Sequence, residues 1–337
     1  MKFGIQPTEG GARTAEALAE VVRAEEMGFD SVWLSEHHGV HDHYWPSPLL
    51  MLAAVAARTE RVVLGTNIIV LPFYHPLRVV EEAAMLQILS KGRAILGVGM
   101  GYRHDEYAAF GVPTRDRGRR YEEALMAIRH LMARDGTPFH GQYFHIAPIA
   151  VEPWAPFPIW AGGWGRENLR RAARYADAWI PGPVADLRRL LDCRAQYETY
   201  LREAGVDPAS RPRVLTRELI IAPTRARALE AAERYLLPIY RDEYGGSWRH
   251  GLVDASRARD LDAIGTERFI VGSPDDVIEG IRFFVERFGC DHLIFRLYGP
   301  HTPHAFIMEE IALLGREVLP VFRPNGREAT QAEGRPV

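Results

Sequence analysis

The residues best equipped for chemistry in this 337-residue chain lie in one short run, Glu36-His37-His38, followed by His41 and His43. Imidazole exchanges protons near neutral pH, and together with carboxylate it can also bind zinc or iron. A metal site would need several of these side chains to converge on one ion, but consecutive residues at a strand end point to opposite faces. No later strand end supplies a histidine with a partnering carboxylate, because the fourth candidate strand ends in glycines and Met100. No metal is expected. His37 is read as a catalytic acid or base, and Glu36 can fix its tautomer if the backbone bends enough for neighbouring side chains to meet. The alternative is a hydrogen-bonded wall residue.

Glycine-rich segments supply the second group of candidates. Gly97, Gly99 and Gly101 alternate along Leu96–Gly101, so one side of that strand lacks side chains. The spacing departs from a dinucleotide fingerprint, which needs two residues between its second and third glycines, because position 102 is Tyr where that third glycine would stand. Such a side is either a shelf for a flat aromatic ring or a place of close packing at a barrel corner. Ala161-Gly162-Gly163-Trp164-Gly165 runs into a helical pattern that starts near Arg166. Backbone N–H groups there can converge on a phosphate, and a tight turn alone would look the same. Asn67 interrupts an apolar run from Gly65 to Leu71, so it either bonds nearby backbone or reads the edge of a ligand.

These groups need a scaffold, and the pattern that provides it is alternation. Strand-like runs at Lys2–Pro7, Ser31–His37, Val62–Leu71, Ala94–Gly101, Pro158–Gly163, Ala178–Pro181, Val214–Ala222 and His292–Leu297 alternate with helical-period runs. Most of them are apolar on both faces, as buried parallel strands are. The first helix carries Leu18, Val21 and Val22 and ends at Gly28. Pro76 opens another, with Leu77, Val80, Ala84 and Ile88 as its stripe. Ser273-Pro274-Asp275-Asp276 starts a third, carrying Ile278, Ile281, Val285 and Phe288 and stopping at Gly289. The expected fold is α/β, a single (β/α)8 TIM barrel over residues 1–323 with insertions at the C-terminal mouth and a polar tail over 324–337. The long connections are Gly136–Phe157, with a hairpin near Gly141–Ile146, and Tyr240–Gly272, which would be either a lid over the mouth or a surface loop.

Composition narrows the partners. Hydrophobic residues make up 47% of the chain and charged residues 25%, with a net charge of −3 spread in mixed signs. Nothing in that distribution favours nucleic acid or anionic lipid, so a small-molecule partner is expected. Cys193 and Cys290 lack metal or redox spacing and are read as buried thiols. No run is apolar enough to cross a membrane, and the N-terminus has no signal-like segment, so the expected location is the cytoplasm. Trp45, Phe73, Tyr102, Trp164 and Tyr298 are candidates for an apolar pocket near the mouth, or for ordinary core.

The segments Lys2-Phe3-Gly4, Gly28–Leu34 running into Glu36-His37-His38, Val70-Leu71-Pro72 to His75-Pro76, Ser90–Arg93 and Phe110-Gly111 together resemble the bacterial luciferase-like flavin monooxygenases, from Lys2 to about Pro320. The resemblance implies a flavoprotein oxidoreductase that uses reduced FMN from a separate flavin reductase, together with O2, to oxygenate a small apolar substrate. It gives His37 the place of the family's active-site histidine and puts Asn67-Ile68 where luciferase has a non-prolyl cis peptide. It implies cofactor contacts from Asn67, Ile68, Gly99, Met100, Gly101, Gly162, Gly163, Trp164, Gly165 and Arg166. Gly99 and Met100 replace a reactive cysteine and a phosphate-binding arginine of luciferase, and Trp164-Gly165 replace a Glu-Ser pair. These departures set the light-emitting reaction aside and leave the phosphate to Arg166 or to the group Arg115, Arg117 and Arg119. The same barrel also serves F420-dependent dehydrogenases and reductases and non-catalytic flavin-binding proteins, which are the alternative functions. A homodimer or higher homo-oligomer is expected.

Overall fold

The computed structural model describes residues 1–40, 44–299 and 301–323; His41, His43 and the tail expected over 324–337 lie outside the described residues. Its strands are β1 Lys2–Gln6, β2 Ser31–Leu34, β3 Val63–Thr66, β4 Ile69–Val70, β5 Ala94–Gly99, β6 Phe139–His140, β7 His145–Ile146, β8 Ile159–Ala161, β9 Ala178–Trp179, β10 Val214–Ile221, β11 Phe269–Gly272 and β12 His292–Arg296. Parallel pairing runs in the order β9-β8-β5-β3-β2-β1-β12-β10-β11, with β4 added on β5. Ile180, just past β9, packs with Val214 of β10, and Arg217 of β10 donates to the Pro183 carbonyl at 2.8 Å, so side chains bridge the β9–β10 seam. The architecture is the expected (β/α)8 TIM barrel, with helices packed around a mostly parallel sheet. No helix among the described residues is long and apolar enough to cross a membrane.

One large side chain fills the barrel floor, and its neighbours make room for it. Trp33 of β2 is fully buried and stacks on Trp160 at 4.9 Å between ring centres. Its neighbour in register on β3 is Gly65, where a Cβ would lie 2.2 Å from the indole. Gly4 on β1 makes the same allowance, since a Cβ there would lie 2.3 Å from Ser31 Oγ and 2.9 Å from the indole nitrogen. Large and small residues thus interdigitate across one layer of the interior.

The eight expected strands are present but shorter. β2 stops at Leu34, so His37 stands on the following loop, and the run expected over 62–71 is broken into β3 and β4 around a cis Asn67–Ile68 bond. β11 was not anticipated: Phe-Ile-Val-Gly is too short to announce itself inside a segment read as loop. Helix Thr14–Glu26 ends as expected, with Gly28 at φ 89°. Helix Pro274–Phe288 has a Ser273–Asp276 capping box. It buries Val277, Ile281, Phe284 and Phe288, leaving Ile278 and Val285 at the edge of its stripe. In helix Pro76–Leu89 the buried face is Val79, Val80, Ala83 and Ala84, and the expected Ile88 is 41% exposed. Cys193 and Cys290 are buried free thiols.

The two long connections differ in place. β6 and β7 form the expected hairpin, but the Glu123 carboxylate draws the Gln142, Tyr143 and Phe144 N–H groups onto the flank of helix Arg117–Ala133. Contrary to expectation it is not a mouth insertion, because it links a helix to the start of β8. The segment between β10 and β11 does lie at the mouth, and Tyr244, His250, Gly251 and Leu252 line the cleft there.

Candidate active site

A cleft with a volume of about 470 Å³ opens at the C-terminal ends of the strands. His37 lines it, with its side chain 12% exposed. The ring nitrogen Nδ1 lies 2.9 Å from Glu106 Oε1, an oxygen that also accepts from the His38 N–H at 2.8 Å and from Arg103 at 3.2 Å. Burial alone would raise the Glu106 carboxyl. The His37 bond and charge, the His38 N–H and Arg103 outweigh it and hold the group below its ordinary value. An ionised carboxylate only accepts, so the network assigns the proton to Nδ1 and leaves Nε2 as the basic nitrogen.

This pairing corrects the expected one. Glu36 does not orient His37: its carboxylate accepts from the Val70 N–H at 2.6 Å and the Tyr74 hydroxyl at 2.9 Å, and it lies 2.6 Å from His38 Nε2. Glu36 therefore anchors the chain just after the cis bond, while the loop turns the His37 side chain toward Glu106. The carboxylate thought to be missing beyond β5 is Glu106, on helix His104–Ala109. The charged run Arg103-His104-Asp105-Glu106 directly after the glycines was the available signal.

The glycine wall is built by close approach and is not an open shelf. A Cβ on Gly97 would lie 1.7 Å from the Thr66 carbonyl, one on Gly99 2.7 Å from Ile68, and one on Gly101 2.6 Å from Val70. The alternating glycines thus let the β3–β4 break press against β5. Thr66 Oγ1 makes hydrogen bonds to both the Gly97 N–H and its carbonyl. Ile68, Gly99, Met100 and Gly101 then border the cleft. Asn67 also faces it, while its Nδ2 donates 3.0 Å across the barrel to Thr216 Oγ1.

At the far wall stand Gly162, Gly163, Trp164, Gly165 and Asn168. Helix Arg166–Tyr175 has no side-chain cap, and nothing lies within 4 Å of a Cβ placed on Gly165. Uncapped N–H groups, an open approach and the guanidinium of Arg117 on the same cleft suit a phosphate. Arg166 does not line the cleft; it points outward to the Tyr200 hydroxyl, 3.4 Å away. Arg115 is exposed and Arg119 pairs with Asp116, so Arg117 is the member of that group on the cleft.

The lid brings aromatic rings onto His37. Trp248 lies 4.6 Å from the imidazole on one side and 4.7 Å from the Arg103 guanidinium on another. Tyr44 meets His37 edge-on at 4.7 Å. His250, held beside Tyr102, is pushed down to about 4 by burial, with the charges of His37 and Arg268 adding to it. Deeper in, Arg296 of β12 donates to Tyr244 and Tyr44, both at 2.6 Å. Behind Ser35, Glu9 is raised to about 7 by burial, against hydrogen bonds from Ser35 and Tyr298 and the charge of Arg296. Of the aromatic residues expected at the pocket, Tyr102 and Trp164 line it. Trp45 and Tyr298 are core, and Phe73 stacks on Phe110.

The model of the luciferase-like monooxygenase family matches residues 1–292. An F420-dependent glucose-6-phosphate dehydrogenase of Beutenbergia cavernae is 33% identical, covering 98% of this chain and 100% of that protein. Among solved structures, the monooxygenase RslO1 from Streptomyces bottropensis superimposes with a TM-score of 0.82 at 24% identity, over 96% of this chain and 100% of its own. An F420-dependent secondary alcohol dehydrogenase in complex with an F420–acetone adduct gives 0.78 at 23% identity, over 96% and 99%.

Proposed function

We propose, from the premise that this chain belongs to the luciferase-like monooxygenase family, that it is an oxidoreductase moving a hydride between the deazaflavin F420 and an alcohol–carbonyl pair. The observation that carries this reading is the His37–Glu106 pair, a base with its basic nitrogen assigned and its orienting carboxylate held ionised on the wall of the cleft. The similarity over nearly full length to an F420-dependent dehydrogenase supports this cofactor. The FMN monooxygenase expected from the sequence ranks second. Its support comes from the family's description and from structures below 25% identity, which speak to the fold alone.

When bound, F420 supplies a carbon that accepts or returns a hydride, and the chain's residues do the rest. Arg117, Asn168 and the uncapped N–H groups opening helix Arg166–Tyr175 would hold its phosphate. Ile68, Gly99, Met100, Gly162 and Trp164 would flank its ring. His37 Nε2 takes the proton of the substrate hydroxyl, while Glu106 fixes the ring and the His37 bond, the His38 N–H and Arg103 together hold Glu106 ionised. Tyr244, Trp248 and Leu252 close the lid side against water. On this reading neither O2 nor a separate flavin reductase takes part.

The expected self-association is retained as part of the proposal. Leu50 (75% exposed) and Leu89 (53% exposed) belong to an apolar patch on helices Pro48–Ala56 and Pro76–Leu89, of the kind that marks protein contacts.

The test is to titrate the full chain with F420, FMN and reduced FMN, and then to follow F420 reduction with glucose 6-phosphate and a series of secondary alcohols. The expected result is tightest binding of F420 and reduction by at least one alcohol. Preference for reduced FMN over F420 would replace this reading with the monooxygenase.

A further inference from the structure

The cleft wall beside His37 contains a phenol that makes no hydrogen bond to the described residues. Tyr102 follows the glycines of β5 and lines the cleft, yet its hydroxyl is buried and has no hydrogen-bond partner among the described residues. Its ring meets His37 at 5.8 Å and His250 at 4.7 Å, both edge-on, so packing rather than hydrogen bonding fixes its position. The groups around it do not bond it. Glu106 gives Oε1 to His37, His38 and Arg103, its Oε2 makes no bond to the phenol, and His250 Nδ1 accepts the Leu252 N–H at 3.2 Å.

A buried polar group left unpaired costs about 1–3 kcal/mol, so native folds seldom leave one without a partner. In a cleft the missing partner can be the ligand. We propose that Tyr102 is a further catalytic residue, whose O–H donates a hydrogen bond to the same substrate oxygen from which His37 takes the proton. This rests on the alcohol–carbonyl reading above and extends it.

In the oxidising direction, the alcohol O–H bond breaks and its proton goes to His37 Nε2. The carbinol C–H bond breaks and its hydrogen leaves with both electrons as a hydride to oxidised F420, while the carbon–oxygen double bond forms. Tyr102 keeps its own proton throughout. Its hydrogen bond strengthens as negative charge develops on the oxygen, and so it stabilises the transition state more than the bound alcohol. Burial, with Tyr244 and Glu106 adding to it, raises the phenol well above its ordinary value, so Tyr102 is a donor across the working pH range. In the reducing direction the same O–H polarises the carbonyl.

Tyr102→Phe removes only the oxygen and tests this directly. The probes are cyclohexanone, which forms a dead-end complex with the chain loaded with oxidised F420, and cyclohexanol as the reductant. The expected result is a cyclohexanone Kd weakened about tenfold and a kcat with cyclohexanol lowered about 10²–10³-fold, the loss typical of removing an oxyanion donor. The F420 Kd should not change, and the melting temperature should hold or rise, because the variant removes an unpaired buried hydroxyl. If wild type fails to bind F420, the cofactor reading falls and this inference with it. If wild type binds F420 but not cyclohexanone, or Tyr102→Phe matches it in both Kd and kcat, the cofactor reading stands and the role of Tyr102 is overturned.

Discussion

The two ends of the barrel interior treat buried polar groups in opposite ways. At the floor, Ser31 Oγ lies 2.8 Å from His292 Nε2 and accepts the Trp33 indole N–H at 2.8 Å, so these groups satisfy one another under a tryptophan stack. At the mouth, Tyr102, Gln6 and Arg296 all line the cleft, and each has a buried polar atom without a hydrogen-bond partner among the described residues. Both ends contain histidine, aromatic rings and glycine, so composition does not separate them. The difference is whether the polar set closes on itself. A closed set contributes to stability and offers nothing to a ligand, whereas an open set costs stability until a ligand completes it.

The sharpest way to test this contrast is at His37. His37→Ala should lower kcat about 10²–10⁴-fold, the usual worth of acid–base catalysis, while the F420 Kd and melting temperature stay close to wild type. Steady-state turnover at equal F420 would expose the error if the two proteins ran alike. Next comes the floor, where Trp33→Ala should destabilise the fold by about 3–5 kcal/mol through cavity formation. Denaturant unfolding measures this, and a midpoint within error of wild type would mean the floor is not the stabilising end.

A smaller effect is expected for Gly165→Asp. This position has ordinary extended backbone, φ −83° and ψ 155°, and open space around it, so the chain should fold normally. Its carboxylate would repel the cofactor phosphate at the helix start, weakening F420 by about tenfold or more. Unaltered affinity would move the phosphate elsewhere.

A separate effect concerns acid stability. His250 titrates near 4 in the folded chain, below its ordinary 6.5, so as pH falls the unfolded chain binds a proton first. Its contribution is complete above pH 6.5 and is lost progressively between 6.5 and 4. His250→Asn should therefore lose less stability than wild type across that window, although His292 at the floor, pushed down to about 3 by burial, still contributes its share. Parallel pH–stability curves for the two proteins would remove His250 from the account.

Much of the fold could be read from local pattern. Alternating apolar runs, Gly28 after the first helix and Ser273-Pro274 before a later one are properties of a few neighbouring residues, and the barrel follows from their repetition. β11 escaped because its four residues carry no period of their own. The site was legible only in part. Most residues named from the sequence do line one cleft, since strand ends of a barrel must meet at its mouth. Arg166 does not, because direction around a helix start depends on the turn before it.

The sequence by itself determined the βα alternation, the histidine just beyond the second strand, and the glycines that permit close approach, because each is encoded in adjacent residues and backbone geometry. Only the tertiary structure decided the partners. His37 is oriented by Glu106, 69 positions away, and not by its neighbour Glu36; Arg117, and not Arg166, faces the cleft; the Tyr102 hydroxyl has no partner among the described residues. The physical reason is that hydrogen bonds are directional and short-ranged, so partners are chosen by where loops carry side chains in space, and sequence distance carries almost no information about that.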